Sequence, residues 1–482
     1  MYLGLDLGTS GLRALLVDEN GAPVGSAERA YKVFHPHRGW SEQDPADWIS
    51  ALEDVIADLR RNHAGFGSIK GMGVAGHMHG ATLLDKTDRV LRPCILWNDT
   101  RSHAEAAFLD AKPNVRDLSG NIVFPGFTAP KLEWVRTHEP ELFEQVAKVL
   151  LPAAFLNLYL TGQHIADMSD SAGTSWLDVG ARNWSPVLLA AGHMRADQMP
   201  ALVEGSAVAG TLRKELATRW GLGQGIVVAG GAADNAAAAC GTGVLAEGQG
   251  FVSLGTSGVV LAARSGFTPD PASAVHTFCH AVPQRWYQMG VMLAATDSLN
   301  WLAGITGVNP VELTKPLGTI LQAPGRERFL PYLSGERTPH NDAEIRGAFT
   351  GLGSETTRDA MTRAVIEGVA FGLRDSAQAL KKTGAKLDHM LAIGGGAGSE
   401  YWVRLLATVL DTPLHLPKAG EFGAALGAAR LGMCAHTGAA AADVMTPPAI
   451  DKTINPQRDL TDAYEHAYEK FRATYKNIKA IQ

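Results

Sequence analysis

Apolar and polar positions divide the chain into a repeated order of strands and helices. Residues 2–6 are apolar up to Asp6 and predict a short buried strand. "GLRALLVD" follows, then the turn signal "DENG", then "APVGSAERAYKV". This predicts three consecutive strands joined by tight turns, with Gly8 and Gly11 in the first turn. In "DPADWISALEDVIADLRRNH" the residues Trp48, Leu52, Val55 and Leu59 recur on one face, Asp44 stands at the N-cap and Pro45 at the first helical position, so a helix is expected. "IKGMGVAG" predicts a buried strand running into the loop "HMHG", and "PCILWND" a further strand with polar residues at its end.

The second half repeats the opening pattern. "GQGFVSLGTSGVVLAARSG" reads as strand, glycine turn, strand, and "LGTSG" itself occurs at both Leu7–Gly11 and Leu254–Gly258. "TTRDAMTRAVIEGVAFGLRDSAQALKK" predicts a long helix and "HMLAIGG" a strand. "SEYWVRLLATVL" predicts a helix capped by Ser399, with Trp402, Leu405, Leu406 and Val409 facing inward. "EFGAALGAARLG" predicts a helix of small residues suited to close packing. The expectation is an α/β protein built by duplication, with domains at 1–246 and 247–482 because "GVLAEGQG" precedes the second hairpin.

Composition narrows the classes. At 482 residues the chain exceeds one ordinary core, and 46% hydrophobic with 19% charged residues fits a folded soluble protein. A net charge of −6 argues against nucleic acid and anionic membranes as partners. The start "MYLGLDLGTS" has no basic leader region, and no apolar run reaches membrane-spanning length, so a cytoplasmic location is expected. Cys94, Cys240, Cys279 and Cys434 form no CxxC pair and read as free thiols in a reducing compartment.

The chemistry starts at the glycine turns. A Thr-Ser bracketed by glycines lets backbone N–H groups and hydroxyls converge on an anion, and two copies in corresponding places point to a phosphate clamp. No GxxxxGK[ST] and no GxSxG occurs, which excludes a Walker-type phosphate loop and a nucleophile elbow. "GGGAGSE" at Gly394–Glu400 follows a strand and opens a helix, a context for backbone close to a nucleotide. Asp6 and Asp234 each end a strand; such carboxylates suit Mg²⁺ binding or proton abstraction from a hydroxyl, and Asp234 equally suits capping of "NAAAAC". "GHMHGAT" with His77, Met78 and His79, and "ILWNDTR" with Trp97, Asn98, Asp99 and Arg101, read as the lining of a polyol pocket rather than a metal site. His276, Cys279 and His280 of "HTFCH" read as core residues, and "LPYLSGERTPH" as an ordered loop at the domain junction.

Together "LGLDLGTSG", "GHMHGAT", "LRPCILWND", "PGFTAPKLEWV", "MSDSAGTSWLDV", "FLPYLSGERTPH" and "LAIGGGAGSEYW" resemble the FGGY carbohydrate kinases, in order and over most of the chain. The resemblance implies two actin-like (ribonuclease H-like) domains around a deep cleft, sugar bound mainly by the first and ATP by the second, with Mg²⁺ and a possible homodimer. It implies phosphoryl transfer from ATP to the 5-hydroxyl of D-xylulose, the alternatives being another ketose or polyol such as ribulose, or a sugar-independent actin-like ATPase. By position it makes Asp234 the base and a metal neighbour, and Asp6 the carboxylate near metal and phosphate. Asn235, His77, Met78, His79, Trp97 and Asp99 fall on the sugar side. Thr9, Ser10, Arg13, Gly255, Thr256, Gly395, Gly396 and Ser399 fall on the ATP side. Three positions depart from the family pattern: "GGAADN" carries one extra residue, His77 stands where glutamine is common, and Arg13 where lysine is common.

Overall fold

The first apolar run becomes β1 (Tyr2–Leu7), antiparallel to β2 (Gly11–Val17), which pairs in turn with β3 (Pro23–Ala30). These and the elements below come from a computed structural model that describes residues 1–418 and 423–481. Helix α1 (Pro45–Asn62) starts as its sequence requires: the Asp44 side chain accepts from Ala46 N–H at 2.9 Å, and Trp48, Leu52, Val55 and Leu59 are buried. The face it buries lies on β2 and β3.

The first sheet has seven strands. Beyond β1 come β4 (Gly71–Gly76), then β6 (Val227–Ala229), then β5 (Val208–Thr211), with the two-residue β7 (Ala232–Ala233) also pairing with β4. β4 runs parallel to β1, and β6 and β7 parallel to β4. The second sheet also has seven strands and repeats this layout. Its hairpin is β8 (Gly250–Leu254) and β9 (Gly258–Arg264), extended by β11 (Trp286–Met292) and β10 (His276–Cys279). On the other side of β8 lie β12 (Met390–Ile393), β13 (Leu414–Pro417) and β14 (Ile450–Ile454). The strand senses match pair by pair, so β8 corresponds to β1, β9 to β2, β11 to β3, β12 to β4 and β13 to β6.

The extra residue of "GGAADN" is absorbed in a bulge. Val228 pairs with Met72 but Ala232 pairs with Ala75, so the register slips by one residue across Gly230–Gly231, where Gly231 has φ +95°. Asp234 is thereby delivered just beyond the end of β7, as the first residue of helix α4 (Asp234–Thr242).

Around the second sheet, α6 (Arg358–Lys382) packs on β9 and β11. Helix α7 (Glu400–Leu410) packs on α6 and carries the expected cap, Ser399 Oγ accepting from Trp402 N–H at 3.4 Å. Of the expected "EFGAALGAARLG" helix, Glu421 and Phe422 lie outside the described residues; Ala424–Thr437 forms α8. This helix lies not on its own half but on β1, β4 and β6 of the first sheet. Small residues make that possible: a Cβ on Gly4 would come within 1.8 Å of Ala425 O, and one on Gly73 within 2.0 Å of Ala428 O. Gly427 faces α4, where a Cβ would lie 1.8 Å from Ala237 O. A shared cluster including Ala75, Ala233, Ala237, Phe251, Phe278 and Ala428 joins the two halves. Among the described residues no helix is long and apolar enough to cross a membrane.

"PCILWND" forms less strand than its pattern predicts. Only Cys94–Ile95 pairs, with Glu42–Gln43 and through a bridge from Ile95 to Ala81, and Trp97–Asn98 is a turn. The Asp99 carboxylate draws in Arg101 N–H and Ser41 N–H, which bends the chain out of the ladder.

Candidate active site

Three parallel strands end side by side: Leu7 of β1 pairs with Gly76 of β4, and Gly76 with Ala233 of β7. The residues that follow them, Gly8, His77 and Asp234, therefore share one edge of the sheet, the carboxyl-end position where open α/β sheets bind ligands. Asp6, two residues before Gly8 and opposite Arg13 across the hairpin, brings a second carboxylate to this edge.

Asp234 is held by its neighbour. Asn235 N–H and Nδ2–H both donate to Asp234 Oδ1, at 2.6 and 2.9 Å. Oδ2 makes no hydrogen bond to any described residue, which leaves an acceptor for an incoming hydroxyl proton. Burial raises Asp234 to about 6, with the Asn235 bonds opposing. Burial, then the charge of Asp234, raises Asp6 to about 7, with Arg13 opposing. Two half-buried carboxylates whose proton affinity is raised in this way fit a divalent cation, which pairs readily with one or two carboxylates.

The first glycine turn is braced from several sides. Tyr31 OH donates to Gly8 O, Gln43 Nε2 to Thr9 O at 2.6 Å, and Trp97 Nε1 to Thr9 Oγ1 at 2.9 Å. Trp97 is 41% exposed beside it, and Ser10 is exposed at the tip. The second turn rests on helix α5 (Thr296–Thr306): Gly255 O accepts from Thr296 N–H and Oγ1–H, and Thr256 O from Ala295 N–H. Thr256 is exposed. Gly394 has φ +87°, and a Cβ there would lie 2.8 Å from the Leu254 backbone, so the "GGGAGS" loop presses directly on the second hairpin. Beside it a cavity of about 760 Å³ is lined by Gly395, Gly396, Ser399, Thr296, Leu299 and Pro310.

The expected sugar side splits. His79 Nδ1–H donates to Gly173 O at 2.7 Å and its ring stacks on Phe127 at 4.4 Å. Burial, aided by Lys131, lowers His79 to about 3, so the ring is neutral and Nε2 remains a hydrogen-bond acceptor. Met78 is buried, its sulfur accepting from Tyr287 OH at 3.9 Å. Two expectations are corrected. His77 does not line an opening: it is 1% exposed, edge-on to Trp48 at 5.7 Å, beneath the first turn through the Trp48–Gln43–Thr9 hydrogen bonds. Asp99 does not present an oxygen to substrate either. Oδ1 accepts from Arg101 N–H and Nε–H, and Oδ2 from Ser41 N–H and Arg101 Nη2–H, which fills its acceptor positions.

Other residues took no role from sequence reasoning. Lys131 is fully buried inside "PGFTAPKLEWV", and its ammonium donates to His79 O and Gly126 O, each at 2.7 Å, tying the histidine loop to the Trp97 turn region. Asp170 is buried with neither oxygen hydrogen-bonded to a described residue; burial, then the charges of Asp167 and Asp234, push its carboxyl well above the usual range. A lysine between the apolar residues Ala129, Leu132 and Val135 was the signal for Lys131; for Asp170, Asp167 is near in sequence but the burial and Asp234 come from the tertiary fold.

The FGGY family of carbohydrate kinases matches the chain twice, by its N-terminal domain over residues 1–241 and its C-terminal domain over residues 250–436. The xylulose kinase of Escherichia coli K12 is 45% identical over 99% of both chains. Among solved structures, a xyloylose kinase from Brucella ovis is 56% identical with TM-score 0.98 over 100% of both chains. A xylulose kinase from Rhodospirillum rubrum is 29% identical with TM-score 0.92, covering 100% of this chain and 99% of that one.

Proposed function

The chain belongs to the FGGY family of carbohydrate kinases, and from that membership we propose that it transfers the γ-phosphoryl group of ATP to the 5-hydroxyl of D-xylulose, giving D-xylulose 5-phosphate. The observation that carries this reading is the free Oδ2 of Asp234 beside Asp6 at the shared strand edge. The full-length likeness to xylulose kinases selects the sugar.

In this reading Asp234 Oδ2 accepts the hydroxyl proton as the oxygen attacks phosphorus, while Asn235 holds Oδ1 and fixes the carboxylate plane. The N-terminus of α4 favours the ionised form of Asp234. His79 Nε2 accepts from a sugar hydroxyl, Met78 packs against the carbon chain, and Trp97 walls the opening. Thr9, Ser10 and Arg13 face the transferring phosphate, Gly255 and Thr256 grip the nucleotide phosphates, and Gly395, Gly396 and Ser399 line the adenosine side. Asp6, with Asp234, would hold Mg²⁺, which when bound neutralises charge on the phosphate oxygens. The domains divide at 246, between the two family-matched segments, in a cytoplasmic enzyme. Closure of the cleft over the sugar keeps water from competing as nucleophile.

A coupled assay with ATP and Mg²⁺ across pentoses, hexoses and glycerol tests this. D-xylulose should give the highest kcat/KM, and Asp234→Asn should lower kcat by at least about 10²-fold with little change in sugar affinity. Preference for ribulose would move the assignment to a neighbouring ketose. ATP hydrolysis without transfer to any sugar would make the chain an ATPase on the same scaffold.

A further inference from the structure

We propose that Arg337 determines acceptor specificity by gripping the C1–C2 hydroxyketone end of the sugar, opposite the hydroxyl that meets Asp234; this rests on the ketose reading above. Arg337 lies in "LPYLSGERTPH", a loop clamped to the second sheet. Glu336 and Asp342 exchange N–H···O bonds at 2.8 Å, and Glu336 Oε1 accepts from Leu293 N–H at 3.2 Å. Thr338 N–H donates to Val291 O at 3.1 Å, and Thr338 Oγ1 accepts from Val291 N–H at 3.0 Å. Helix α9 (Thr461–Lys479) braces the loop from behind: Tyr475 stacks on His340 at 3.8 Å, and Tyr475 OH and Lys479 Nζ reach Asp342 Oδ2 at 3.0 and 2.7 Å.

From this rigid base the side chain crosses to the first half. Its guanidinium carbon lies 4.7 Å over the Phe124 ring. Phe124 contacts Phe127 at 5.6 Å, and Phe127 stacks on His79 at 4.4 Å, so the cation stands in the same wall as the sugar-side histidine. His276, 5.2 Å from Phe124 and with neither ring nitrogen hydrogen-bonded to a described residue, completes that wall. The Arg337 guanidinium itself makes no hydrogen bond and no ion pair with any described residue.

The guanidinium is half-buried, and its N–H donors, met by no described residue, are open to an incoming ligand's oxygen atoms. Burial lowers its proton affinity, but an arginine stays charged. A planar fork of N–H donors suits two oxygens on adjacent carbons, which a ketose offers as its C1 hydroxyl and C2 carbonyl. A cation–π strut between the halves would also place Arg337 over Phe124. The two roles differ in whether the loss on mutation depends on the sugar oxygens present.

The test is a cycle on the full chain, crossing Arg337→Met and Arg337→Lys with D-xylulose, its C3 epimer D-ribulose, and 1-deoxy-D-xylulose, which lacks the C1 hydroxyl. Arg337→Met should lower kcat/KM for D-xylulose by about 10²-fold and for 1-deoxy-D-xylulose by less than about tenfold, with ATP KM unchanged within about twofold. The fractional loss on D-ribulose should equal that on D-xylulose, since the two share the gripped end. Arg337→Lys keeps the charge without the fork and should show the same coupling in smaller size, which preserves the test if Arg337→Met does not fold. Equal losses with and without the C1 hydroxyl, or an unchanged D-xylulose kcat/KM, would overturn the proposal while leaving the kinase reading intact. A wild-type chain inactive on both ketoses would remove that reading and this inference with it.

Discussion

In the first copy of "LGTSG", Leu7 pairs with Leu12 and Gly8 N–H donates to Gly11 O at 3.0 Å, leaving Thr9 and Ser10 at the tip. In the second, Leu254 pairs with Gly258, so Gly255, Thr256 and Ser257 form the tip. Five identical residues thus close two hairpins in different registers. The cause lies in what each turn touches. Around the first, β3 extends the pairing to Gly11, where a Cβ would lie 2.6 Å from Arg29 O, and side chains from Tyr31, Gln43 and Trp97 take up its polar groups. Around the second, the carbonyls of Gly255 and Thr256 turn toward the first N–H groups of α5, which would otherwise be unpaired. One residue before each turn's leucine the chemistry also diverges: Asp6 carries charge to the site, whereas Ser253 is neutral.

The widest separation between the two turns should come from that residue. Asp6→Asn is expected to lower kcat by about 10²-fold or more, while Ser253→Ala changes it by less than about threefold; steady-state kinetics that show similar losses would erase the asymmetry. Next is the pH profile. The base must be ionised to accept a proton, and burial places Asp234 and Asp6 at about 6 and about 7, so kcat/KM should fall as pH drops through this window. The fall should approach about tenfold per pH unit between the two values, steepen toward about hundredfold per unit below both, and persist in Ser253→Ala; a flat profile from pH 7 to 5 would count against both carboxylates. Gly255→Val should raise the ATP KM by about tenfold and the sugar KM by less than about twofold. A Cβ at Gly255 meets only Ser257 O, at 3.4 Å, so the added bulk projects outward rather than deforming the turn. An equal rise in both constants would deny the second turn its nucleotide role. The smallest effect belongs to the cap beside that turn: Ser399→Ala should cost about 0.5–1 kcal/mol by urea denaturation, near the low end because the bond is 3.4 Å long.

How legible each part was follows the range of the forces involved. The caps at Asp44 and Ser399, the hairpins and the inward face of α7 depend on residues within a few positions, and all stand where the pattern placed them. The placement of Asp6 and Asp234 at strand ends was equally readable, because a strand end and a glycine-rich loop are local features. Asp99 and His77 were not. His77 sits in a loop-like stretch and is enclosed by Trp48 from an earlier helix, while Asp99, at a predicted strand end, is filled by Arg101 two residues on together with Ser41 from far away in the chain. Lys131 took no role, and Arg337 was read only as part of an ordered junction loop, because one is buried against carbonyls from two loops and the other crosses to a ring more than two hundred residues away.

By itself the sequence determined the duplicated order of elements, the helix termini, and which residue types stand at the strand ends, since backbone conformation and hydrophobic periodicity are set by near neighbours. Only the tertiary structure decided the register of each "LGTSG" turn, the bulge that carries Asp234 past β7, and the docking of α8 on the opposite half's sheet. Those outcomes depend on burial and on which distant groups complete each hydrogen bond. Burial is also what raises the Asp6 and Asp234 carboxyls toward neutrality, and neither residue's immediate neighbours could have revealed it.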